Sequence, residues 1–164
     1  DLDDFKSLND HFGHALGDQL LTIIAQRLKK VARRNDLVGR LGGDEFILIL
    51  RDLNNMDEIE QMAKRILRAI ASPCLINGDQ HHVTASMGVT ILPFDSADSD
   101  TLLRHADQAM YVAKEHGRNR YHLFDTEKDQ RAQTRRQLLS RLAVGLAQDE
   151  LVLHYQPKVN LRTG

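Results

Sequence analysis

Two neighbouring carboxylates in one short turn are candidates for a chemical role. In RLGGDEFILIL, residues 40–50, Asp44 and Glu45 follow two glycines and lie between apolar runs. Like charges this close repel each other unless a cation lies beside them. The paired acids therefore indicate a cation-binding turn, and solvated surface acids are the other interpretation.

The start of the chain offers partners for this acidic turn. DLDDFKSLND begins like the end of a strand, which carries Asp1 and Asp3. If that strand lies beside the turn in one sheet, Asp1 and Asp44 meet at one edge. Two carboxylates and a backbone carbonyl suit Mg²⁺, which keeps other positions for substrate phosphates. In the alternative interpretation, the following residues are all solvated turn acids: Asp1, Asp3, Asp4, Asp44 and Glu45.

Polar residues that follow Asp1 have types that suit a nucleotide. Lys6 and the backbone N–H groups of residues 2–6 can contact phosphate, and a plain surface charge is the alternative for Lys6. Asn9 and Asp18 can pair with the edge of guanine, because a carboxylate accepts from its N–H groups and an amide both donates and accepts. Helix capping is the alternative for both, and Asp18 precedes a long apolar stripe as an N-cap would.

Two pairs of charged residues have anion-binding potential. Lys114 and Arg118, four residues apart in KEHGRNR, can hold triphosphate oxygens or offset the dipole at a helix end. Arg33 and Asp36, in RRND, form either a small anion-and-base site or a helix-ending arginine and a turn aspartate. The eight histidines show no metal-ligand pattern and are interpreted as structural or surface residues.

Composition limits the classes of function. The 164 residues are 41% hydrophobic and 27% charged, which allows one main domain and a small appendage. A formal charge of -1 excludes a global field that attracts nucleic acid or an anionic membrane. The single cysteine, Cys74, is expected to be a small core residue in a reducing cytoplasm. The sequence shows no signal peptide and no apolar run of the roughly 20 residues that span a membrane.

Hydrophobic spacing predicts the first elements that position these residues. The apolar stripe of LLTIIAQRLKKV predicts a long helix from Asp18 onward. Residues 37–41 and 46–50 predict a hairpin around the acidic turn, where glycines permit the positive φ of short loops.

The middle of the chain continues the same alternation. A second helix is predicted to end at Pro73, and Asn77-Gly78 marks a second hairpin. A third helix is predicted to end before Gly117 as its C′ glycine, and Tyr121 to Phe124 form a short closing strand. Helices and antiparallel strands therefore interleave in an α+β sandwich.

The composition changes after Asp125. EKDQRAQTRRQ is polar and predicts a linker near residues 125–134, after which Leu138, Leu142 and Leu146 resume a helical stripe. LVLHYQP, residues 151–157, begins like a strand of another domain.

Taken together, the motifs resemble those of the GGDEF family of diguanylate cyclases. DLDDFKSLND, GHALGDQLL, RLGGDEF, SMGV and DQAMYVAKEHGRNR occur in that family's order and spacing, over residues 1 to about 125. The resemblance implies an α+β fold like that of nucleotidyl cyclases and the polymerase palm. This fold has a mostly antiparallel sheet with flanking helices, and its first strand is truncated here at the N-terminus. The implied reaction joins two GTP into cyclic di-GMP and two pyrophosphates, with Mg²⁺ or Mn²⁺, in a homodimer.

The resemblance also gives each polar candidate a role. The assigned residues are the metal ligands Asp1, Leu2 (through its carbonyl) and Asp44; the catalytic acids Asp44 and Glu45; the phosphate-binding Phe5, Lys6, Lys114 and Arg118; the guanine-binding Asn9 and Asp18; and the product-inhibition pair Arg33 and Asp36. Lys114 and Arg118 count as catalytic too, because they would neutralise charge on the departing pyrophosphate.

The tail resembles a second family. RRQLLSRLAVGLAQDELVLHYQPKVNLRTG is similar to the opening of an EAL-type cyclic di-GMP phosphodiesterase domain and stops before the Glu-Ala-Leu signature. We therefore expect residues 1–125 to be an N-terminally truncated GGDEF domain. Residues 126–164 are expected to be a linker helix and the first strand of an incomplete EAL domain, in a fragment of a longer composite protein.

Two functions are compatible with this architecture. The first is a diguanylate cyclase, and the second is a GTP-binding regulatory module that controls a downstream EAL phosphodiesterase. The intact acidic turn together with Lys114 and Arg118 favours catalysis. The expected partners are GTP, cyclic di-GMP as product and inhibitor, and a second copy of the chain, without nucleic acid or membrane contact. The expected location is the cytoplasm, including the cytoplasmic part of a membrane-anchored sensor.

Overall fold

The computed structural model describes residues 1–92, 94–95, 98–125 and 148. The chain divides into two compact units, Asp1–Phe124 and Asp125–Gly164, and every helix and strand given below belongs to the first. The predicted leucine stripe and the strand at residues 151–157 lie outside the described residues, as does nearly all of the predicted linker. Within the described part, no helix is both long and apolar enough to cross a bilayer.

Two helices follow the N-terminal residues. Helix α1 spans Phe5–Phe12 and helix α2 spans His14–Val31, with Gly13 between them. Sequence spacing does not predict α1, because Phe5 is its one fully buried residue. The long helix is confirmed but begins at His14 and not near Asp18, because polar residues of its first turn carry no apolar signal.

The hairpin that carries the acidic turn is confirmed. Strand β1, Leu37–Gly42, pairs antiparallel with β2, Glu45–Ile49, and Gly42 lies opposite Glu45. The turn is therefore Gly43-Asp44, and Gly43 has a φ of +50°, which glycine adopts at little cost. The register shifts between Arg40 and Gly42, which marks a bulge just before the turn.

The second helix and hairpin are also confirmed. Helix α3 spans Met56–Ala71 and ends before Pro73; the side chain of Asn55 caps its start by accepting from the Glu58 N–H. Strands β3, Cys74–Ile76, and β4, Asp79–His81, pair around the Asn77-Gly78 turn. Cys74 is a buried free thiol, as expected.

The last three elements form a crossover. Strand β5, Ser86–Val89, is followed by helix α4, Ser99–Glu115, and by strand β6, Arg120–Leu123. Strands β5 and β6 pair in parallel, which differs from a purely antiparallel arrangement because an intervening helix returns the chain to the same end of the sheet. A Cβ at Gly88 would lie 1.8 Å from the Ala106 carbonyl oxygen, so α4 packs on the β5 backbone itself.

The first three residues join two of these sheets. Leu2 forms an antiparallel bridge with Ala85, and its N–H donates to the Asp44 carbonyl at 3.3 Å. The N-terminal segment, residues 1–3, thus lies between the acidic hairpin and the chain leading into β5. Apolar side chains from α1, α2, α3 and both hairpins pack with Leu2 in one core, which is centred on Leu2, Leu20, Ile24, Leu28, Ile66, Cys74 and Ile76.

Candidate functional site

The N-terminal segment brings the predicted acids together. The Leu2 N–H donates to the Asp44 carbonyl, so the residues on both sides of that contact are close in space. Asp3, Asp44 and Glu45 all act electrostatically at the backbone of Asp1. Three acids from two distant segments therefore lie around one point. The predicted meeting of the chain start and the acidic turn is present.

The end of α4 adds two cations to the same place. Lys114 Nζ lies 2.8 Å from Asp1 Oδ1, in an ion pair in which the Asp1 side chain is only 12% exposed. Arg118 Nε lies 3.7 Å from Asp4 Oδ1, at a more exposed position. Lys114 therefore contacts the N-terminal segment and Arg118 contacts Asp4 just after it at the surface, although both also lie where they suit the dipole of α4.

The oxygen donors near Asp1 have the chemistry of a divalent-cation site. The Asp1 carbonyl accepts from the Ser86 N–H at 3.0 Å, and the Asp3 N–H donates to the Thr84 carbonyl at 2.8 Å. In an extended chain the N–H and C=O groups of one residue face the same edge, and those of the next residue face the opposite edge. The Leu2 carbonyl is therefore directed to the hairpin side, as its N–H is. Two carboxylates and one carbonyl are ligands that Mg²⁺ and Mn²⁺ accept. Among the described residues, no three His, Cys, Asp or Glu side chains form a metal-binding group by themselves.

Asp3 is not a solvated turn acid, and the alternative interpretation is wrong for this residue. It is buried, and Oδ1 accepts from the Ser86 hydroxyl at 2.7 Å. Oδ2 accepts from the Thr84 hydroxyl at 2.6 Å and from the Asn119 N–H at 3.1 Å. Asp4 and Glu45, by contrast, are exposed. Sequence reasoning missed this role of Asp3, because its partners are far away in the chain.

The turn after α4 has an unusual backbone. Gly117 has a φ of +106°, which confirms it as the C′ glycine, but Arg118 and Asn119 also have positive φ, +58° and +48°. The left-handed conformation costs a residue with a side chain about 1–2 kcal/mol, so surrounding contacts must hold it. The Arg118 N–H donates to the Ala113 carbonyl at 3.2 Å, and the Asn119 N–H donates to Asp3.

The proposed guanine-binding pair is brought together by the contact between α1 and α2. Asn9 lies inside α1 and Asp18 inside α2, so the capping alternative is wrong for both. A Cβ at Gly17 would lie 1.9 Å from Asn9 Oδ1 and 3.1 Å from the Phe5 ring. Gly17 therefore lets the two helices approach and places Asn9 beside the residue that precedes Asp18. Asn9 Oδ1 is buried and has no hydrogen-bond partner among the described residues.

A groove of about 520 Å³ opens between α2 and β1. Its lining residues are Asp18, Leu21, Thr22, Ala25, Gln26, Lys29 and Arg40. Arg40 Nε also donates to the Gly43 carbonyl at 2.8 Å, which ties the groove to the acidic turn. Sequence reasoning missed Arg40, because one exposed arginine in a strand has no spacing signal. The position of Arg40, two residues before the paired glycines, was the available clue.

The structure leaves some of the remaining predicted phosphate contacts available and excludes others. The N–H groups of Leu2 and Asp3 already donate to the protein, so they cannot also cradle phosphate as predicted. The first N–H groups of α1, which begins at Phe5, have no partner within the helix. The Phe5 side chain is buried in the core, and Lys6 is exposed. Phe5 can therefore contact phosphate only through its backbone.

Asp36 has a structural task at the start of β1. Its Oδ2 accepts from the Arg33 N–H at 2.6 Å and its Oδ1 from the Arg51 N–H at 3.0 Å. Desolvation raises the pKa of Asp36, but the two N–H bonds and the charges of Arg33 and Arg65 outweigh it and bring the pKa below its usual value. This geometry is that of a turn aspartate. Arg33 itself is exposed and lies just beyond the end of α2.

The fold and the site together define an α+β domain in which an acidic hairpin turn and the cationic end of a helix both contact the N-terminal segment. Residues 1–120 match the family model described as diguanylate cyclase, GGDEF domain. The chain belongs to the GGDEF-domain family.

Relatives and solved structures agree with this membership. The chain is 41% identical over 159 residues to the bifunctional diguanylate cyclase/cyclic di-GMP phosphodiesterase MucR of Pseudomonas aeruginosa, a match that covers 97% of this chain and 23% of MucR. It is 39% identical over 162 residues to the cyclic di-GMP phosphodiesterase PdeR of Escherichia coli, covering 99% of this chain and 24% of PdeR. The chain thus spans about a quarter of the length of these curated relatives.

A solved structure of the GGDEF domain of YfiN (TpbB) from Pseudomonas aeruginosa has a similar fold. It superposes with a TM-score of 0.76 at 34% identity, over 82% of this chain and 78% of that chain. The predicted α+β fold class is confirmed.

Proposed function

We propose that the protein is a diguanylate cyclase, which condenses two GTP into cyclic di-GMP and two pyrophosphates. The observation that carries the proposal is the meeting of opposite charges at the N-terminal segment: Leu2 contacts Asp44 while Lys114 contacts Asp1. Carboxylates for a divalent cation beside cations for phosphate are what a metal–nucleoside triphosphate requires. The name of MucR, which includes this activity, supports the same reaction.

The proposed metal ligands are Asp1, the Leu2 carbonyl and Asp44. When bound there, Mg²⁺ or Mn²⁺ would neutralise phosphate oxygens and polarise the reacting phosphorus. The protein's own task is to hold the three oxygens on the N-terminal segment and the acidic turn, which are linked by the Leu2–Asp44 hydrogen bond. Lys114 must release Asp1 when the triphosphate arrives, because one Asp1 oxygen now faces the ammonium group.

The proposed substrate contacts come from the two helices at either side. Asn9 and Asp18 recognise guanine, and the Asn9 oxygen, which is buried without a hydrogen-bond partner, turns out of its place beside Gly17 to accept from the base. The first turn of α1 with Lys6 contacts phosphate, and the Phe5 contribution is its backbone N–H. These contacts orient one GTP in one domain.

In the proposed reaction, the 3′-hydroxyl of one GTP attacks the α-phosphorus of another. Lys114 and Arg118 neutralise the charge that grows on the departing pyrophosphate. Asp44 or Glu45 accepts the hydroxyl proton, and we rank metal binding as the first role of Asp44. Because one domain presents one nucleotide, a homodimer must bring the two together.

A GTP-binding regulatory module is the second candidate function. It is favoured by PdeR, a relative of nearly equal similarity that is named only as a phosphodiesterase. In that case the same residues bind GTP, and the nucleotide controls a phosphodiesterase domain elsewhere in the protein. The tail, residues 126–164, is proposed to be the linker helix and first strand of such an EAL domain, following a GGDEF domain of residues 1–125.

One experiment separates these two functions. The purified protein is incubated with Mg²⁺ and GTP, and cyclic di-GMP is measured by chromatography, in parallel with GTP binding by calorimetry. Cyclic di-GMP formed by the protein and lost in Asp44→Asn supports the cyclase. Bound GTP without product from a dimeric sample refutes the cyclase and leaves the regulatory module.

Product inhibition and location complete the proposal. Arg33 with Asp36 is proposed to bind cyclic di-GMP as inhibitor, although both Asp36 oxygens are engaged by backbone N–H groups. A cytoplasmic location is proposed, and the buried free thiol of Cys74 and the use of GTP support it.

A further inference from the structure

Asp3 is a buried carboxylate that joins three separate parts of the domain. It lies on the N-terminal segment, one residue beyond the Leu2–Asp44 contact. Its oxygens accept from Thr84 and Ser86, around the start of β5, and from the Asn119 N–H in the turn after α4. With 7% of its surface exposed, Asp3 has no access to a bound nucleotide. Any effect it has on substrate must pass through the groups that it holds.

The Asn119 contact controls the conformation of Arg118. The peptide group before Arg118 is held by the bond from its N–H to the Ala113 carbonyl, at the end of α4. The peptide group after Arg118 is held by the bond from the Asn119 N–H to Asp3 Oδ2. The Arg120 Nε–H also donates to the carbonyl of this second peptide group, at 3.0 Å, from within the same turn. Asp3 is the contact that ties the group to a distant part of the domain, and the left-handed conformation should be less stable without it.

The same carboxylate adds to the contacts between the N-terminal segment and the start of β5. Asp3 and Asp1 lie on one short segment, and the bonds of Asp3 to Thr84 and Ser86 fix its register against β5. Asp1 in turn pairs with Lys114. The backbone bonds from Ser86 to Asp1 and from Asp3 to Thr84 do not involve the Asp3 carboxylate, so the turn of Arg118 depends on that carboxylate more than Asp1 does.

We propose that Asp3 is a positioning residue, which holds Arg118 in its left-handed conformation for contact with the anionic part of the substrate. The proposal rests on the proposed function of the site, in which Arg118 contacts GTP phosphates. It adds that this contact is made possible by a carboxylate that never touches the nucleotide.

A double-mutant cycle on GTP binding tests this role. Arg118→Ala is expected to weaken GTP binding roughly tenfold, and Asp3→Ala is expected to weaken it by a similar factor. Asp3→Ala with Arg118→Ala is expected to be little worse than either single variant, because both remove the same contact. Additive effects would overturn the proposal, since Asp3 would then act independently of Arg118.

Matched variants separate positioning from general stability. Ser86→Ala removes the bond to Oδ1 but leaves the Asn119 bond, so it should lower the melting temperature with little change in GTP affinity. Asp3→Asn can still accept from the Asn119 N–H and donate to the Ser86 hydroxyl, so it should restore most of the affinity lost in Asp3→Ala. Equal loss of affinity in Ser86→Ala and Asp3→Ala would overturn the proposal.

Hydrogen exchange gives a readout that needs no nucleotide. The Asn119 amide should exchange at least tenfold faster in Asp3→Ala than in Ser86→Ala, after correction for global stability. Equal exchange overturns the proposal, whatever the binding data show. If the unmodified protein binds no GTP, the proposed function fails, whereas faster exchange in Asp3→Ala still supports the hold of Asp3 on the Arg118 turn.

Discussion

Lys114 Nζ lies 2.8 Å from Asp1 Oδ1, so a cation proposed to bind phosphate is paired with a carboxylate proposed to bind metal. Each group occupies the position that the other's ligand requires. In the free protein these two charges therefore neutralise each other. Binding of metal and triphosphate together exchanges one ion pair for two new ones, which couples the two ligands.

Removal of Lys114 should strengthen the binding of metal alone. In Lys114→Met, the affinity for Mn²⁺ without nucleotide is expected to rise about fivefold, because Asp1 loses a competing cation. GTP affinity should fall in the same variant. Electron paramagnetic resonance of free Mn²⁺ measures the first effect, and Lys30→Met, at an exposed position of α2, is the control. An unchanged or weaker Mn²⁺ affinity contradicts the coupling.

Asn9 should matter for nucleotide recognition more than for stability. Its buried Oδ1 has no partner in the described part of the chain, so Asn9→Ala removes no hydrogen bond from the folded state. The free energy of unfolding should change by less than about 1 kcal/mol, while GTP affinity falls roughly tenfold.

The opposite pattern is expected at Asn55, which makes it a control for Asn9. Its side chain caps α3, so Asn55→Ala should cost about 1 kcal/mol of stability and leave GTP affinity unchanged. Urea unfolding and calorimetry measure the two quantities. A large loss of stability in Asn9→Ala with normal GTP binding would show that Asn9 is only structural.

Gly88→Ala should strongly destabilise the domain. The added methyl group would lie 1.8 Å from the Ala106 carbonyl oxygen and 2.5 Å from the Met110 nitrogen, both on the backbone of α4. Helix α4 must then move away from β5, at a cost of about 3 kcal/mol or more. Gly42→Ala, where a Cβ meets nothing within 4 Å, is the control for thermal unfolding. Similar melting temperatures for both variants would contradict this packing.

The contribution of Asp36 to stability should depend on pH. Its pKa in the folded protein lies below the ordinary value of 3.8, so its stabilising effect is complete above that pH. The effect is lost as the pH falls through the lower, folded-state pKa. Asp36→Asn should therefore be less stable than the unmodified protein at pH 7, and the difference should shrink towards pH 3. Urea unfolding at both pH values measures it, with Asp79→Asn, on β4, as the control; a constant difference would refute the assignment.

Arg33→Ala should relieve product inhibition if the proposed inhibitory site operates. Arg33 is exposed and its removal leaves the Asp36 bonds to backbone N–H groups in place, so the turn should remain folded. The concentration of cyclic di-GMP that halves the rate is expected to rise roughly tenfold or more. Arg34→Ala, the neighbouring exposed arginine, is the control. Unchanged inhibition in Arg33→Ala would remove the assignment.

Local signals in the sequence were sufficient for most of the elements. The apolar stripe of α2, the Asn77-Gly78 turn and Gly117 as the C′ glycine each depend on residues within a few positions, and each is confirmed. Helix α1 was missed because it buries little, and the parallel pairing of β5 and β6 was missed because pairing direction depends on the crossover.

The amino-acid sequence was enough to name the acids, amides and cations of the site, because their types and spacing are visible in the chain. Which of them are available for chemistry depended on contacts between distant segments. Asp3 is taken up by partners 81, 83 and 116 positions away, whereas the Asn9 oxygen stays unpaired because Gly17 brings a second helix against it. Burial and hydrogen-bond pairing arise only when distant parts of the chain come into contact, so neither can be predicted from residues that are adjacent in the sequence.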